Sequence, residues 1–179
     1  MYVLGIDPGS ITTGWALIES SGRSVKYIDS GVLKFNSKTE FIDRVTEIKK
    51  ATDELISKID ADEVAIESLI FVKNPNSMAK LAQTRGVILA SLSEKFDKKI
   101  FEYAPTLIKA AATGYGHSDK ESIQKFIDML LGKREYQTHD ESDAIAIALC
   151  HILNKGNAAV KSKSSKKSKG LAASLAHKV

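Results

Sequence analysis

The sequence predicts an α/β domain built on a mixed five-stranded sheet, with helices on both faces of the sheet. Three observations predict it. Three strand-like stretches separated by turns occupy the first 35 residues and should form an antiparallel meander. Two further short strands alternate with helical patterns, which is typical of parallel strands joined by right-handed crossovers. The rest of the chain to about residue 153 shows only helical patterns, and 179 residues suit a single domain.

The first predicted strand covers residues 2–7 and ends in a carboxylate. Its apolar residues suit a strand that is buried on both faces. Asp7 stands at the carboxyl end of this strand, where a charge is costly unless a partner such as a metal ion compensates it. Because Asp-Pro-Gly is also good turn chemistry, Asp7 could equally do no more than begin the turn that follows.

The later elements are predicted from hydrophobic periodicity and turn residues. A hairpin covers residues 12–19 and 25–35, and Trp15 in its first strand should be a packing residue. Asn36-Ser37 indicates the start of a helix that continues to about residue 60. The remaining elements, in order, are a strand over 62–67, a loop over 69–76, a helix over 77–96, a strand over 99–103, a short helix opened by Pro105, a loop over 113–117, a helix over 119–131 with a capping box over 118–121, a loop over 132–138 and a helix over 139–153.

Charge is divided unevenly along the chain. The segment from Lys155 onward holds seven of the 26 lysines and arginines and no acid, so the first 154 residues carry 19 basic and 22 acidic side chains. We therefore expect a folded domain over 1–154 and a basic, disordered tail over 155–179. A mildly acidic domain can bind an anionic polymer only through a local basic patch. The tail either adds salt-sensitive affinity for such a polymer or is a solvated end.

Composition argues against several classes of protein. No apolar run approaches the ~20 residues of a membrane span, and the N-terminus lacks the basic and apolar regions of a secretion signal. The single cysteine, Cys150, excludes an internal disulfide and should be a small core residue of a helix. No pair of cysteines or histidines has zinc spacing. A cytoplasmic location fits these features.

Four acids are candidates for one site. Asp7 and Glu67 each end a central strand, and parallel neighbouring strands would place them about 5 Å apart at one edge of the sheet. Asp140 and Asp143 share one face of the last helix, and the small residues after Asp143 let that helix approach the sheet. Clustered carboxylates suit hard cations such as Mg²⁺, two of which can activate a water and stabilise the leaving oxygen of a phosphodiester.

Each of these acids also has a simpler interpretation. Glu67 could be a surface residue at a strand end, and Asp140 could only complement the dipole of its helix. His139 could assist as a base or ligand, although a histidine in a first helical turn is usually solvated. Glu141 should point away from the Asp140–Asp143 face, toward solvent.

Five blocks of sequence, in order, resemble the RuvC-type Holliday-junction resolvases over about residues 1–153. The blocks are Gly5-Ile6-Asp7-Pro8-Gly9-Ser10, Ala65-Ile66-Glu67, Lys73-Asn74 to Gln83-Thr84-Arg85-Gly86-Val87, Phe101-Glu102-Tyr103-Ala104-Pro105, and Asp140-Glu141-Ser142-Asp143-Ala144. The resemblance implies a ribonuclease-H-like fold, a homodimer and an Mg²⁺-dependent endonuclease acting in recombination and DNA repair. Such an enzyme makes paired, symmetric nicks that leave 5′-phosphate and 3′-hydroxyl ends.

By the family pattern, the catalytic metal ligands are Asp7, Glu67, Asp140 and Asp143. The resemblance further implies two Mg²⁺ ions per active site, with Mn²⁺ able to substitute. The expected partners are four-way junction DNA, a second copy of the chain, and a branch-migration motor with its junction-binding platform, of RuvB and RuvA type. The lysine-rich tail lies outside the resemblance.

A segment between Glu67 and Glu94 contains basic residues and no acid, so it is predicted to contact DNA. The candidates there are Phe71, Lys73, Asn74, Lys80 and Arg85. Phe71 offers a stacking surface, unless it is a core residue. Lys80 and Arg85 could instead be ordinary solvated charges of a helix.

The resemblance also bears on residues around this segment. Ile70 stands where the family often has an aromatic residue that contacts junction bases, which leaves Ile70 and Phe71 as alternatives. Lys109 and Lys120 are implied near the scissile phosphate, where a lysine offsets negative charge in the transition state. The apolar side of helix 77–96 could form the dimer interface or simply pack on its own sheet.

Other functions remain open from the residues alone. A non-catalytic module that binds branched DNA would be expected to have lost one of the four acids, and all four are present. An actin-like or sugar-kinase phosphotransferase needs a second domain, for which 179 residues leave little room. A nuclease of the same fold acting on an RNA–DNA hybrid or an RNA end is hardest to separate, because the metal chemistry is shared and the substrate depends on dimer geometry.

Overall fold

One mixed sheet and five helices make up the part of the chain that the computed structural model describes, which is residues 1–22, 24–69, 74–114, 116 and 119–155. The strands are β1 (Tyr2–Asp7), β2 (Thr12–Ser21), β3 (Ser24–Lys34), β4 (Glu63–Glu67) and β5 (Ile100–Tyr103). The helices are α1 (Phe41–Lys58), α2 (Pro75–Lys95), α3 (Pro105–Thr113), α4 (Lys120–Leu131) and α5 (residues 139–155).

The strand order is β3-β2-β1-β4-β5. β1 and β3 pair with β2 in antiparallel fashion, and β4 lies parallel to both β1 and β5. This confirms the predicted three antiparallel and two parallel strands. Because Ile6 pairs with Ile66 across β1 and β4, the next residues, Asp7 and Glu67, emerge at the same edge of the sheet.

The alternation of side chains along the strands divides the core into two layers. On one side of the sheet, which we call the α1 face, buried strand residues pack with α1 and α2, among them Leu4, Ile6, Val64, Ile66, Ile48, Ile88 and Leu92. On the other side, the α5 face, strand residues pack with α3, α4 and α5, among them Val3, Ala16, Ala65, Ile108, Ile127, Ile145 and Leu149. The site described below lies on the α5 face.

The last helix lies unusually close to the sheet. A Cβ atom added to Gly5 of β1 would overlap the carbonyl oxygen of Ala144 and lie 3.0 Å from the Cβ of Ala148. A Cβ atom added to Gly14 of β2 would overlap the carbonyl oxygen of Asp140. Glycine in the strands and alanine in the helix therefore let the two backbones touch, which confirms the predicted close approach.

Two helix starts differ from those predicted, because asparagine side chains make local hydrogen bonds that the pattern did not resolve. α1 begins at Phe41, not at Asn36-Ser37, since the Asn36 side chain accepts the Lys38 N–H at 3.0 Å and closes a turn. α2 begins at Pro75, two residues before the predicted start. Asn74 is its N-cap and accepts the N–H groups of the second and third helical residues at 3.0 and 3.2 Å.

The helix predicted to begin at residue 119 starts at Lys120. Its N-cap is Asp119, which accepts the N–H of Ser122 at 2.8 Å. The predicted capping box is therefore one residue too early, and its first member, Ser118, lies outside the described residues.

Three expectations from composition concern the core and the membrane. Cys150 is buried in α5, as predicted. Trp15 packs against the core of the α1 face, as predicted. In the described ranges no helix combines the length and the apolar character that crossing a membrane requires.

Candidate active site

The four predicted acids come together at one edge of the α5 face. Asp7 and Glu67 end the neighbouring strands β1 and β4. Asp7 pairs across the sheet with Gly14, and Gly14 abuts the main chain of Asp140 at the start of α5. The first turn of α5 therefore packs against Gly14, the residue that pairs with Asp7. Asp143 follows on the next turn.

Asp7 is the most strongly perturbed of these acids. Its burial raises the pKa of the carboxyl from 3.8 to about 8, and the nearby charges of Glu67, Asp143 and Asp140 contribute to the rise, in that order, against a smaller opposing effect of Lys120. A buried carboxylate with three acidic neighbours is unfavourable at neutral pH unless a cation compensates it.

The same causes act on two other members of the cluster. Burial raises the pKa of Glu67, Asp143 raises it further, and Lys109 lowers it. Burial also raises the pKa of Asp143, which Lys120 lowers and Asp140 raises. Lys109 of α3 and Lys120 of α4 therefore lie beside Glu67 and Asp143, while their implied place near a scissile phosphate stays a prediction.

The donor set fits a hard divalent cation. Four carboxylates supply only oxygen ligands, which Mg²⁺ prefers. Two of them, Asp7 and Glu67, stand at the ends of paired strands of the sheet. The raised pKa of Asp7 shows an excess of buried negative charge that a cation would neutralise. Among the residues that the structure describes, no group of three or more acidic, histidine or cysteine side chains is arranged so that it could hold a metal ion. Metal binding by the four acids therefore stays a prediction.

Two clefts that share Lys120 and Asp143 open beside the acids. One cleft, of about 120 Å³, is lined by Glu67, Pro105, Ile108, Lys109, Lys120, Ile123, Asp143, Ala146 and Ile147. The other, of about 190 Å³, is lined by Lys120, Glu121, Ile123, Gln124, His139, Ser142 and Asp143. His139 is exposed at this second cleft, and its charge lowers the pKa of Asp143.

The turn after Asp7 is fixed by side chains that the sequence did not single out. Arg44 of α1 is 5% exposed and donates hydrogen bonds to the carbonyls of Ser10, Ser37 and Thr39 at 3.2, 3.0 and 2.7 Å. The Thr13 hydroxyl donates to the Gly9 carbonyl at 3.0 Å. The direction in which β1 ends is therefore set by contacts from both β2 and α1.

Arg85 supports the backbone of a catalytic candidate. Its Nε donates to the main-chain carbonyl of Glu67 at 3.2 Å, and its guanidinium lies 2.8 Å from the carboxylate of Glu102. The Arg85 side chain is 13% exposed. Its predicted contact with DNA stays a prediction, while its contacts within the chain hold the end of β4 in place.

We expect Arg85→Gln to lower the free energy of unfolding by about 1–2 kcal/mol, because it removes a hydrogen bond and an ion pair from a largely buried side chain. Lys80→Gln is the control, since Lys80 is exposed on the same helix and such changes usually alter stability by less than about 0.5 kcal/mol. Urea denaturation measures both. Unchanged stability in Arg85→Gln, together with a smaller salt dependence of DNA binding, would instead assign Arg85 to a phosphate contact.

The other DNA-binding candidates fall into two groups. Asn74 caps α2, and the ammonium of Lys80 lies 5.8 Å from the ring centroid of Phe41. Ile70, Phe71 and Lys73 lie outside the described residues, as does the predicted tail over 155–179 except Lys155. Contacts of these residues with DNA stay predictions. Lys155 is the last described residue of α5 and forms an ion pair with Glu63.

The prediction that Glu141 faces solvent is wrong. Glu141 is 5% exposed, and its carboxylate accepts hydrogen bonds from the Ser30 hydroxyl at 2.5 Å and the Gln137 N–H at 2.7 Å. Helical spacing correctly separates it from the Asp140–Asp143 face, but strand β3 occupies the side that it faces. The sequence does carry a signal for this role, because Thr138 and Glu141 have the spacing of a capping box.

Comparisons with known proteins agree with this architecture. The family model described as "Crossover junction endodeoxyribonuclease RuvC" matches residues 3–151. A crossover junction endodeoxyribonuclease RuvC from Halothermothrix orenii is 39% identical over 152 residues, covering 84% of this chain and 92% of its own. The protein of the same name from Legionella pneumophila is 40% identical over 150 residues, covering 83% and 85%.

Solved structures share the same arrangement of strands and helices. Thermus thermophilus RuvC in complex with a Holliday junction substrate superposes with a TM-score of 0.80 at 26% identity, covering 88% of this chain and 96% of that one. The yeast mitochondrial Holliday junction resolvase Ydc2, at 14% identity and a TM-score of 0.63, shares the fold and covers 84% of this chain and 77% of its own. The predicted ribonuclease-H-like fold is confirmed, and the chain belongs to the RuvC family of crossover junction endodeoxyribonucleases.

Proposed function

We propose that this chain resolves four-way DNA junctions by making paired, symmetric nicks that leave 5′-phosphate and 3′-hydroxyl ends. The observation that carries this proposal is the convergence of four carboxylates from β1, β4 and α5 in a chain of the RuvC family. A non-catalytic binding module has no use for four acids whose mutual repulsion destabilises the fold.

The four acids have distinct structural positions within one proposed ligand set. Asp7 and Glu67 are held by the sheet, while Asp140 and Asp143 are held by the first turns of α5. Mg²⁺ bound there, in two sites that Mn²⁺ could also fill, supplies Lewis-acid activation of a water and of the leaving oxygen. His139 lines the same cleft as Asp143, at the edge of the site, where it could accept or donate a proton during the reaction.

Lys109 and Lys120 are the proposed anion-binding groups of the site. They flank the cleft that Glu67 and Asp143 also line, and their charge lowers the pKa of nearby acids. A phosphate entering between them would be oriented by two cations and would meet less repulsion from the carboxylates. As charge develops on the phosphate oxygens, the same ammonium groups stabilise it.

The DNA arms are proposed to follow the basic segment that begins after Glu67. Lys80 is exposed on α2, and Phe71, Lys73 and Asn74 precede that helix in the sequence. Lysine contacts to phosphates would position the junction without reading its sequence. A stacking residue at position 70 or 71 would hold an unpaired base at the crossover.

A homodimer is the proposed active form. Two active sites related by a twofold axis can act on two strands of like polarity, which one copy cannot do. The proposed contact is the part of the apolar side of α2 that stays half-buried, at Met78, Leu81 and Ala82, since Ile88 and Leu92 on that side pack into the core of the α1 face. The proposed partners beyond the junction itself are a RuvB-type branch-migration motor and its RuvA-type platform, in the cytoplasm.

Cleavage of synthetic immobile four-way junctions tests the proposal. We expect Mg²⁺-dependent nicks at opposing positions of the junction, no cleavage of linear duplex or RNA–DNA hybrid, and complete loss with a chelator or in Asp143→Asn. Several core sequences must be used, since a preferred sequence could hide activity on one junction. Cleavage of the hybrid would keep the chemistry and change the substrate, whereas tight junction binding without cleavage would support a binding module.

A further inference from the structure

The loop before α5 and the first turn of α5 each contact the edge strand β3. At the beginning of the loop, the guanidinium carbon of Arg134 lies 3.7 Å from the ring centroid of Tyr27, and Arg134 also donates to the carbonyl of Leu131 at 2.6 Å. In the first turn of α5, Glu141 accepts a hydrogen bond from the Ser30 hydroxyl. Because the hydroxyls of Tyr27 and Ser30 are 2.9 Å apart, the two attachments form one network.

Glu141 is the point where this network meets the helix. One carboxylate oxygen accepts from Ser30 at 2.5 Å and the other from the Gln137 N–H at 2.7 Å. The Glu141 N–H is directed to the Thr138 hydroxyl at 3.4 Å. The arrangement is a variant of the capping box, because the acid accepts the N–H of Gln137, one residue before the N-cap Thr138. The same acid also accepts a hydroxyl from a strand.

Burial of this acid calls for an explanation. A carboxylate that is 5% exposed carries a desolvation cost, which an apolar residue of similar size would avoid. Helix capping alone does not require burial, since capping glutamates usually lie at the surface. Glu141 also directly follows Asp140 and lies two residues before Asp143. Because both acids are proposed metal ligands, the anchorage of Glu141 fixes the turn that carries them.

We propose that Glu141, held by Ser30 of β3, is a positioning residue that sets where Asp140 and Asp143 stand relative to Asp7. This inference rests on the proposed function, in which those acids hold the metal. Gly14 brings the helix into contact with β2 at Asp140, and Glu141 adds a second attachment at β3. Two attachments on adjacent strands define both the distance and the rotation of the first turn of α5.

A purely stabilising role is the alternative, and it makes a different prediction. If the network only stabilised the fold, any core change of equal cost would affect the site equally. Ile48→Val provides that control, because Ile48 is buried in the core of the α1 face and loss of a buried methyl group destabilises the fold. Its position on the opposite side of the sheet leaves the acids untouched.

Metal binding without DNA is the first measurement. Titration of the full chain with Mn²⁺ by calorimetry should show about tenfold weaker binding in Glu141→Ala and in Ser30→Ala, in line with losses seen when outer hydrogen bonds to metal ligands are removed. Glu141→Gln should recover most of the affinity, because an amide can pair with both the Ser30 hydroxyl and the Gln137 N–H. Ile48→Val should bind as the wild type does.

Cleavage kinetics on a four-way junction are the second measurement. Glu141→Ala should lower kcat about tenfold while leaving KM for the junction within about twofold, since the change affects the reacting centre and not the DNA-binding surface. Metal affinity in Glu141→Ala equal to that of Ile48→Val would overturn the proposal. A wild type that binds Mn²⁺ but cleaves no junction would contradict the proposed function alone, because the affinities of the variants would still decide the role of Glu141. A wild type that binds no Mn²⁺ would overturn both.

Discussion

Replacing Asp7 with asparagine should abolish cleavage and, in the absence of metal, make the protein more stable. Burial and three acidic neighbours raise the pKa of Asp7 to about 8 in the folded state, above its unfolded value of 3.8. The folded state therefore binds more protons than the unfolded state between these values, and stability falls as pH rises through that range. Asparagine is neutral without having to bind a proton, so the free energy of unfolding at pH 7 should rise by about 2 kcal/mol, after relaxation offsets part of the effect.

Chemical denaturation with a chelator present measures this gain. The gain should disappear near pH ~3.5, where Asp7 is largely protonated in both states, and it should shrink when Mg²⁺ is added, because the ion stabilises only the wild type. Asp60→Asn makes the same chemical change at an exposed acid beyond α1 and should leave stability unchanged within about 0.5 kcal/mol. Equal stability of Asp7→Asn and the wild type at neutral pH would show that neither burial nor the neighbouring acids appreciably disfavour the charged Asp7 carboxylate.

Among substitutions that add a single methyl group, Gly14→Ala should be the most damaging. The added Cβ would overlap the carbonyl of Asp140, so α5 must move away from β2 and take Asp140 and Asp143 with it. Overpacking at a backbone contact costs about 1–3 kcal/mol, and we expect the upper end of this range because backbone, not a flexible side chain, lies opposite. Cleavage should fall by roughly a hundredfold or more even at temperatures where the variant is folded.

Gly86→Ala is the matched comparison. Nothing lies within 4 Å of a Cβ atom at Gly86, and alanine is favoured over glycine inside a helix by about 0.5–1 kcal/mol. Thermal unfolding should therefore show opposite shifts for the two glycine-to-alanine variants. If Gly14→Ala keeps both its melting temperature and its activity, then α5 does not rest on the sheet at this position.

Much of the fold and the position of the acids can be predicted from local sequence. Alternating and continuous apolar runs define β1 and β4, and parallel pairing then brings Asp7 and Glu67 to the same edge. The alanines that follow Asp143 signal close packing of the last helix. Each of these features is visible in a short stretch of sequence, either as a periodicity of apolar residues or as the repetition of one residue type.

The remaining features depend on partners that lie far away in the chain. Glu141 is buried because Ser30, 111 positions earlier, stands opposite it, and a helical wheel cannot show a strand on its polar side. Gly5 and Gly14 look like ordinary strand glycines until α5 is placed against them. The sequence does not predict the helix start at Pro75, because Asn and Pro are common both in loops and in the capped first turn of a helix.

The contact of α5 with Gly5 and Gly14 has a consequence for how the protein is made. Two of the four acids reside on the last helix of the described fold, far along the chain from Glu67 and docked against strands synthesised first. A growing chain, or a fragment cut anywhere between β4 and α5, holds at most half of the carboxylates. If these acids hold the metal as proposed, nuclease activity begins only when the last helix of the described fold has been synthesised and has docked on the sheet, so a partly synthesised domain is inactive.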